Sequence, residues 1–232
     1  MGSVDTAAGN ATSWFPLNGG PSEIASVSQF IYSNGYVYAC GPFSQINSVA
    51  RLGLVKMDAA GNVVSSWNPG GTLSGGLGFV SSMTLSNGIL FVGGSFTAIG
   101  GKTVTNLAAI DAGTGQASTW NPAPNNTVRT LTIAGSRLFV GGDFTSIGGK
   151  NVSWLASVDT SAGTASAWDA QLNENPYTLS SYGSTLFAGG LFTSTGSITR
   201  NNLAAVDLTT GPDHFVESEC LWRRQRARGR RR

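Results

Sequence analysis

The sequence predicts an all-β protein assembled from repeated four-stranded sheets. Three observations predict it. A seven-residue phrase returns as Phe-Val-Gly-Gly-Ser-Phe-Thr from Phe91, Phe-Val-Gly-Gly-Asp-Phe-Thr from Phe139 and Phe-Ala-Gly-Gly-Leu-Phe-Thr from Phe187. A worn copy, Tyr-Ala-Cys-Gly-Pro-Phe-Ser, starts at Tyr38, and a phrase repeated at a fixed period marks a repeat architecture. Aspartates at 5, 58, 111, 159 and 207 each close a recurrent apolar run, in steps of 53, 53, 48 and 48 residues. Finally, 32 glycines and only 11% charged residues suit many short strands joined by tight turns. No stretch of the body spaces apolar residues three and four apart, so no helix is predicted.

Each repeat reads as four elements. In the copy that starts at Thr127, residues 128 to 133 alternate apolar and polar side chains, as a strand with one buried face does. Gly135-Ser136 then makes a two-residue turn into an apolar strand over 137 to 144. The same turn reads Asn34-Gly35, Asn87-Gly88 and Gly183-Ser184 elsewhere, all dipeptides that tolerate the positive φ of a hairpin turn. A polar loop of some ten residues leads to a third strand, Leu155-Ala156-Ser157-Val158-Asp159, matched by runs ending at Asp58, Asp111 and Asp207. Val4-Asp5 is a further remnant. Gly9, Gly61, Gly115, Gly163 and Gly211 follow these aspartates, so each Asp is expected to accept hydrogen bonds from a turn whose glycine supplies the positive φ. A fourth strand ends at Trp14, Trp67, Trp120 or Trp168, and Asn-Pro after Trp67 and Trp120 stops the ladder.

Four strands in about 40 to 50 residues, repeated, is the arithmetic of a propeller blade. The expected blades span 24 to 67, 79 to 120, 128 to 168 and 176 to 207, the last lacking its fourth strand. Residues 10 to 15, ending near Trp14, are one source of that strand and would close a four-bladed ring. An open arc of a larger propeller is the other arrangement. Residues 1 to 211 thus form the propeller body, expected to be a monomer.

Residues 212 to 232 stand apart. Arg223, Arg224, Arg226, Arg228, Arg230, Arg231 and Arg232 are seven of the fourteen basic residues. Without 213 to 232, which also hold Asp213, Glu217 and Glu219, the body has seven basic residues against nine acidic ones. This tail has no counterpart elsewhere in the chain and reads as a disordered or aberrant appendage. Binding of polyanions through it is an alternative activity, but no specific nucleic-acid recognition is expected. No run of about 18 apolar residues is present, and the N-terminus lacks a basic region followed by an apolar one. Neither membrane insertion nor a signal peptide is expected. Cys40 and Cys220 read as free thiols.

The phrases Phe-Val-Gly-Gly-x-Phe-Thr, Asn-x-Leu-Ala-Ala-x-Asp-x-x-Thr-Gly and Trp-Asn-Pro resemble the β-propeller repeats of the delta-60 type, a domain class of unknown function in large secreted or surface-attached bacterial proteins. There is also a distant resemblance to repeats of fungal cortical polarity markers. The likeness covers residues 3 to 211. It implies a non-enzymatic extracellular or cell-surface module with no cofactor. Ala109, Asp111, Thr114, Gly115 and Trp120 are similar to the tryptophan-docking motif of quinoprotein propellers, which fastens neighbouring blades and does not by itself imply the quinone.

Most recurrent residues fit structural roles. Phe96, Phe144 and Phe192, like Trp67, Trp120 and Trp168, recur at one position per repeat, as core residues do. Asp58, Asp111, Asp159 and Asp207 each sit in their own turn, which does not gather the six to eight oxygens calcium takes. Asp143 occurs in one copy only. The single histidine, His214, lies in the tail, which excludes a Ser-His-Asp or histidine-metal site in the body. No helix start or lysine follows the Gly-Gly pairs to make a phosphate cradle, and these glycines are expected to let neighbouring sheets approach closely.

The long loops 44 to 51, 97 to 106, 145 to 154 and 193 to 202, with 68 to 78, 121 to 127 and 169 to 176, are expected on one face. Loops on a rigid scaffold are where function concentrates. Arg51, Lys102, Lys150 and Arg200, with Asn106, Asn125, Asn126 and Asn202, are the candidate binding residues there, for a protein or glycan partner. The alternative class is a propeller enzyme, quinoprotein-like oxidoreductase or hydrolase. It requires a cluster of acids, histidines or metal ligands that the body does not carry.

Overall fold

The structure is a computed structural model that describes residues 26–73 and 79–212. Val4-Asp5, the closing strand at 10 to 15, Trp14, His214, Cys220 and the arginine run lie outside the described residues. Among those described there is no helix, and every strand pairing is antiparallel.

Four sheets follow one another along the chain, each begun by the predicted hairpin. The first pairs Gln29–Ser33 with Tyr36–Cys40 and adds Leu54–Asp58. The second pairs Phe79–Ser86 with Ile89–Ile99 and adds Leu107–Asp111. The third runs Val128–Ala134, Arg137–Gly142, Leu155–Asp159 and Ala165–Asp169. The fourth runs Pro176–Tyr182, Thr185–Gly190 and Leu203–Asp207. Both central residues of Asn34-Gly35 and Asn87-Gly88 take positive φ, whereas only Gly135 and Gly183 do so in the other two turns.

Four-stranded sheets were expected in the first three repeats, with a three-stranded one at 176 to 207, and the structure corrects this for the first two. Among the described residues a continuous fourth strand after the third is present only in the third sheet, where Ala165–Asp169 pairs with Leu155–Asp159. In the other three the ladder shrinks to single bridges, Met57 to Val63, Ile110 to Ala117 and Asp207 to Gly211. Proline explains the two middle-chain cases, because Pro69 and Pro122 have no N–H to give. In the third repeat Asp169-Ala170 follows Trp168 instead, and the ladder runs on to Asp169. The second sheet gains a different strand, Gly71–Leu73, out of the predicted 68 to 78 loop; it pairs with the far end of Ile89–Ile99.

The sheets pack side by side. First strands of successive sheets touch: Gln29–Ser33 on Phe79–Ser86, that on Val128–Ala134, and that on Pro176–Tyr182. A hydrogen-bond ladder crosses these junctions. Met83 N–H donates to Gln29 Oε1 at 2.8 Å, Leu131 N–H to Ser82 Oγ at 3.1 Å, and Leu179 N–H to Thr130 Oγ1 at 3.1 Å. Gln29, Ser82 and Thr130 hold the same place in their repeats, so one side-chain oxygen per sheet satisfies an outward N–H of the next. Such a donor would otherwise be costly to bury.

Three apolar clusters fill the junctions. Tyr38, Leu54 and Trp67 meet Met83, Leu90, Val92 and Ile110. Phe91, Leu107 and Trp120 meet Leu131, Leu138, Val140 and Val158, and Phe139, Leu155 and Trp168 meet Leu179, Leu186, Ala188 and Val206. Phe96, Phe144 and Phe192 are fully buried. The first glycine of the pair faces the next sheet in the second and third repeats: a Cβ on Gly93 would strike Val128, and one on Gly141 would lie 2.8 Å from Pro176 Cγ. The second sits over a bulge in its own first strand, where register slips between Val80 and Ser82, Val128 and Thr130, and Pro176 and Thr178. A Cβ on Gly94, Gly142 or Gly190 would collide with backbone there.

Cys40 is buried among these residues, and burial pushes its thiol up to about 12. Thiolate is the reactive form, so Cys40 is expected to resist alkylation at neutral pH until the protein unfolds. Peptide mapping of iodoacetamide-treated native and urea-unfolded protein checks this, following the peptide that contains Cys40.

Candidate functional site

Each tryptophan reaches across to the next sheet. Trp120 Nε1–H donates to Asp159 O at 3.0 Å and Trp168 Nε1–H to Asp207 O at 2.9 Å. The indole lies over the turn glycine, with Gly163 against Trp120 and Gly115 against Trp67. Each indole also meets the opening aromatic of its own repeat edge-on: Tyr38–Trp67 at 5.6 Å, Phe91–Trp120 at 5.1 Å and Phe139–Trp168 at 4.9 Å. Trp67 differs, for its Nε1 is buried without a partner. At that junction the Tyr38 hydroxyl and Lys56 Nζ donate instead to Ala112 O, at 3.0 and 2.9 Å. Burial lowers the Lys56 pKa, and Asp111 opposes that.

The recurrent aspartates are turn caps. Asp58 Oδ1 accepts from Ala60 and Asn62 N–H, Asp111 Oδ1 from Gly113 and Thr114, Asp159 Oδ1 from Ser161 and Ala162, and Asp207 Oδ1 from Thr209 and Thr210. The carboxyls of Asp58, Asp111 and Asp159 are held below their ordinary range, chiefly by the Asn62 side chain, the Thr114 N–H and the Ala162 N–H respectively. A depressed folded-state pKa gives stability that is present above the unfolded value and lost as pH falls through the folded one. The urea midpoint is therefore expected to fall below the ordinary carboxylate pKa of about 4. Asparagine at positions 58, 111 and 159 together should flatten that fall, as denaturation at a series of pH values will register.

The long loops do gather at one end. Gly100 N–H donates to Pro69 O, Gly148 N–H to Pro122 O and Gly196 N–H to Gln171 O, tying the loop after each second strand to the loop before the next sheet. These loops are not featureless. They fold as small ladders, Gln45–Ile46 with Val49–Ala50, Ser146–Ile147 with Lys150–Asn151, and Ser194–Thr195 with Ile198–Thr199. Asn47-Ser48, Gly100-Gly101 and Gly148-Gly149 turn them, with positive φ at both residues.

The eight candidate residues fall into distinct groups. Lys102 and Lys150 are equivalent and exposed. Arg51 and Arg200 occupy another position of the hairpin, the one held by Val104 and Val152, which points inward. Arg51 is only 5% exposed, and its guanidinium donates to Ala50, Val64 and Ser65 carbonyls. It braces the loop and is not a surface cation. Arg200, half-buried, likewise donates to Thr199 O.

Asn106 and Asn202 hold left-handed backbone, φ 63° and 66°, where Gly53 and Trp154 stand in the other repeats. Asn106 donates to Pro124 O and Asn202 to Gly190 O. Asn125 clamps two loops together by accepting from Thr145 and Ser146 N–H and donating to Thr145 Oγ1. Asn173 repeats that clamp on Thr193 and Ser194, which sequence reasoning missed. Asn126 is exposed and accepts from Thr127 N–H. Asp143 forms a two-pronged pair with Arg129, at 2.6 and 2.7 Å.

Between the first and second repeats this end opens a cleft of about 430 Å³. Lys102, Thr103, Gln116 and Asn68 give it a polar wall, and Pro69, Ala98 and Ile99 an apolar floor. Among the described residues no three His, Cys, Asp or Glu side chains gather as a metal site, and no helix is long and apolar enough to cross a membrane.

No family model and no curated protein matches the chain. Solved structures do match. The computationally designed Ika4 protein aligns over 85% of this chain and 98% of its own, with TM-score 0.52 and 12% identity. The computationally designed Ika8 protein aligns over 88% of this chain but 51% of its own, with TM-score 0.52 and 13% identity. At such identities the likeness concerns the fold alone.

Proposed function

We propose that the chain is an arc of β-propeller blades, of the secreted or cell-surface delta-60 type, that works as a non-enzymatic binding or structural module. The observation that carries this reading is the hydrogen-bond ladder from Gln29 through Ser82 to Thr130, one oxygen per sheet. It strings the first strands along one line, as blades fanned about an axis require. Partner binding then falls to the end where the loops gather. Its hairpins are braced by Asn125, Asn173 and Arg51, so Lys102, Lys150 and the cleft beside Lys102 are presented on a rigid support. A small uncharged-polar and apolar lining with one lysine suits a glycan or a protein loop better than a metal or nucleotide.

An array of glycans and proteins probed with the chain lacking 213 to 232 tests this. A ligand bound by the wild type is expected to lose at least tenfold in affinity with Lys102→Glu, about 1.4 kcal/mol. Every ligand unaffected by Lys102→Glu and Lys150→Glu together would remove the loop face from consideration.

A further inference from the structure

The junction between the first and second sheets is built differently from the other two. The chain runs 24 residues from Trp67 to Phe91, but 19 from Trp120 to Phe139 and 19 from Trp168 to Phe187. The spacings from aspartate to tryptophan and from phenylalanine to aspartate are the same in these repeats, so the excess lies in the loop that leads from the first sheet to the second. In a repeat protein, insertions of this kind fall on one face, often the binding face.

Equivalent positions show what changes there. Three residues after each tryptophan the backbone is left-handed, with φ 54° at Gly70, 47° at Ala123 and 51° at Gln171. At the third junction the Gln171 side chain reaches Gly196, where a Cβ would lie 3.0 Å from its Oε1. At Gly70 nothing lies within 4 Å of a Cβ. The next position holds Pro124 and Leu172, both buried, but Gly71 at the first junction. Leu172 bridges to Thr195, and Gly71 pairs with Ile99, the counterpart of Thr195, so these positions match in space as well as in sequence. Asn125 and Asn173 then clamp their loops, whereas Gly71–Leu73 pairs as a strand with Ile89–Ile99. Where the other junctions carry proline or leucine, this one carries no side chain, and the cleft of about 430 Å³ opens beside Gly70.

The lining sets the chemistry. Lys102 is the one charged residue of the cleft wall, and among the described residues it forms no ion pair. No carboxylate lines the cleft, so it favours an anion over a cation, and one lysine matches a single carboxylate better than a phosphate, which draws several donors or a guanidinium fork. Around that charge stand the Gln116 and Asn68 amides and the Thr103 hydroxyl, over the buried Pro69 and Ile99. A sugar ring has hydroxyls at its rim and C–H bonds on its face, which suits amides set round an apolar floor. The groups offered are side chains at separate points, not the run of main-chain N–H and C=O that an extended peptide pairs with. We propose that this cleft binds a uronic-acid residue of an acidic glycan, with its carboxylate on Lys102 Nζ, its hydroxyls on Gln116 and Asn68, and its C–H face on Pro69 and Ile99. The proposal rests on the loop end being the binding face, and the volume lies in the range of small-ligand sites.

Titration calorimetry of the full chain tests this with disaccharides carrying one glucuronic or one galacturonic acid, their methyl esters and their neutral counterparts. One charge per probe keeps polyanion binding by the arginine run out of the reading. At least one acid form is expected to bind, with its ester and neutral form weaker by about tenfold or more. Lys102→Ala should weaken the acid form by about the same factor, and Lys150→Ala, at the junction filled by Pro124, should leave it unchanged. Gly70→Gln copies Gln171 in residue and backbone, so it should fill the cleft and abolish binding while far-UV circular dichroism stays the same. Failure of both acids to bind overturns the proposal. So does equal binding of acid and ester, an unaffected Lys102→Ala variant, or binding that survives in folded Gly70→Gln. An acidic peptide that binds through Lys102 and Gly70 where the sugars do not overturns the ligand class and leaves the loop end as the binding face. Array ligands indifferent to Lys102→Glu and Lys150→Glu together would remove that face as well.

Discussion

Trp120→Ala is expected to lower the free energy of unfolding by about 3–5 kcal/mol, the range for removing a large buried aromatic. The size follows from where the indole lies. Trp120 is buried between the second and third sheets, edge-on to Phe91 and donating to Asp159 O 39 residues further on. Its loss opens a cavity at a junction and frees a turn of the next sheet. Since a domain's whole stability is about 5–15 kcal/mol, the variant should be close to unfolding at body temperature. Phenylalanine substitutions separate packing from hydrogen bonding. Trp120→Phe and Trp168→Phe give up a bond to a carbonyl, whereas Trp67 has a buried Nε1 with no partner to lose. Trp67→Phe should therefore cost less than Trp120→Phe by about 1 kcal/mol, the net contribution of one hydrogen bond. Urea denaturation of the three variants measures the difference, and equal costs would contradict the assignment of Lys56 and Tyr38 as the substitutes at the first junction.

Gly142→Ala is expected to cost about 3 kcal/mol, at the upper end for overpacking. The backbone of Gly142 needs no left-handed conformation, so the penalty is purely steric. A methyl group there would meet the Thr127 carbonyl oxygen and, at 2.9 Å, Val128 Cα. Both are backbone atoms at the start of the first strand, fixed by the bulge between Val128 and Thr130. Neither rotates away as a side chain would. Gly149→Ala is the control. Nothing lies within 4 Å of a Cβ at Gly149, but its φ of +80° disfavours any L side chain, at about 1–2 kcal/mol. Thermal melts of the two variants should rank Gly142→Ala well below Gly149→Ala. The reverse order would mean that the second glycine of the repeated pair is kept for its backbone freedom.

Much of this was legible because the repeats vote. Four hairpin turns at one position, four aspartates followed by glycine and three buried tryptophans each gave independent readings of one local structure. The Asp111 turn is a local hydrogen-bond problem that the nearest few residues solve, so the sequence suffices to see it. Two kinds of feature were not legible. The fourth strand depends on whether proline interrupts its pairing, and Pro69 and Pro122 cut it shorter than the position of tryptophan suggested. Side-chain direction in the long loops was the other. Arg51 and Lys102 look alike in a sequence, but Arg51 stands where valine stands in the neighbouring repeats, and its charge is spent on carbonyls. The ladder through Gln29, Ser82 and Thr130 escaped notice because three different residue types play one part, which no repeated letter advertises.

Nuclear Overhauser contacts of the indole protons test the central claim most directly. If successive sheets stand side by side and each tryptophan fastens its own sheet to the next, the indole of Trp120 gives cross-peaks to Gly163 Hα and that of Trp168 to Gly211 Hα. Cross-peaks confined to each tryptophan's own repeat, with the indole N–H protons exchanging rapidly with water, would contradict it.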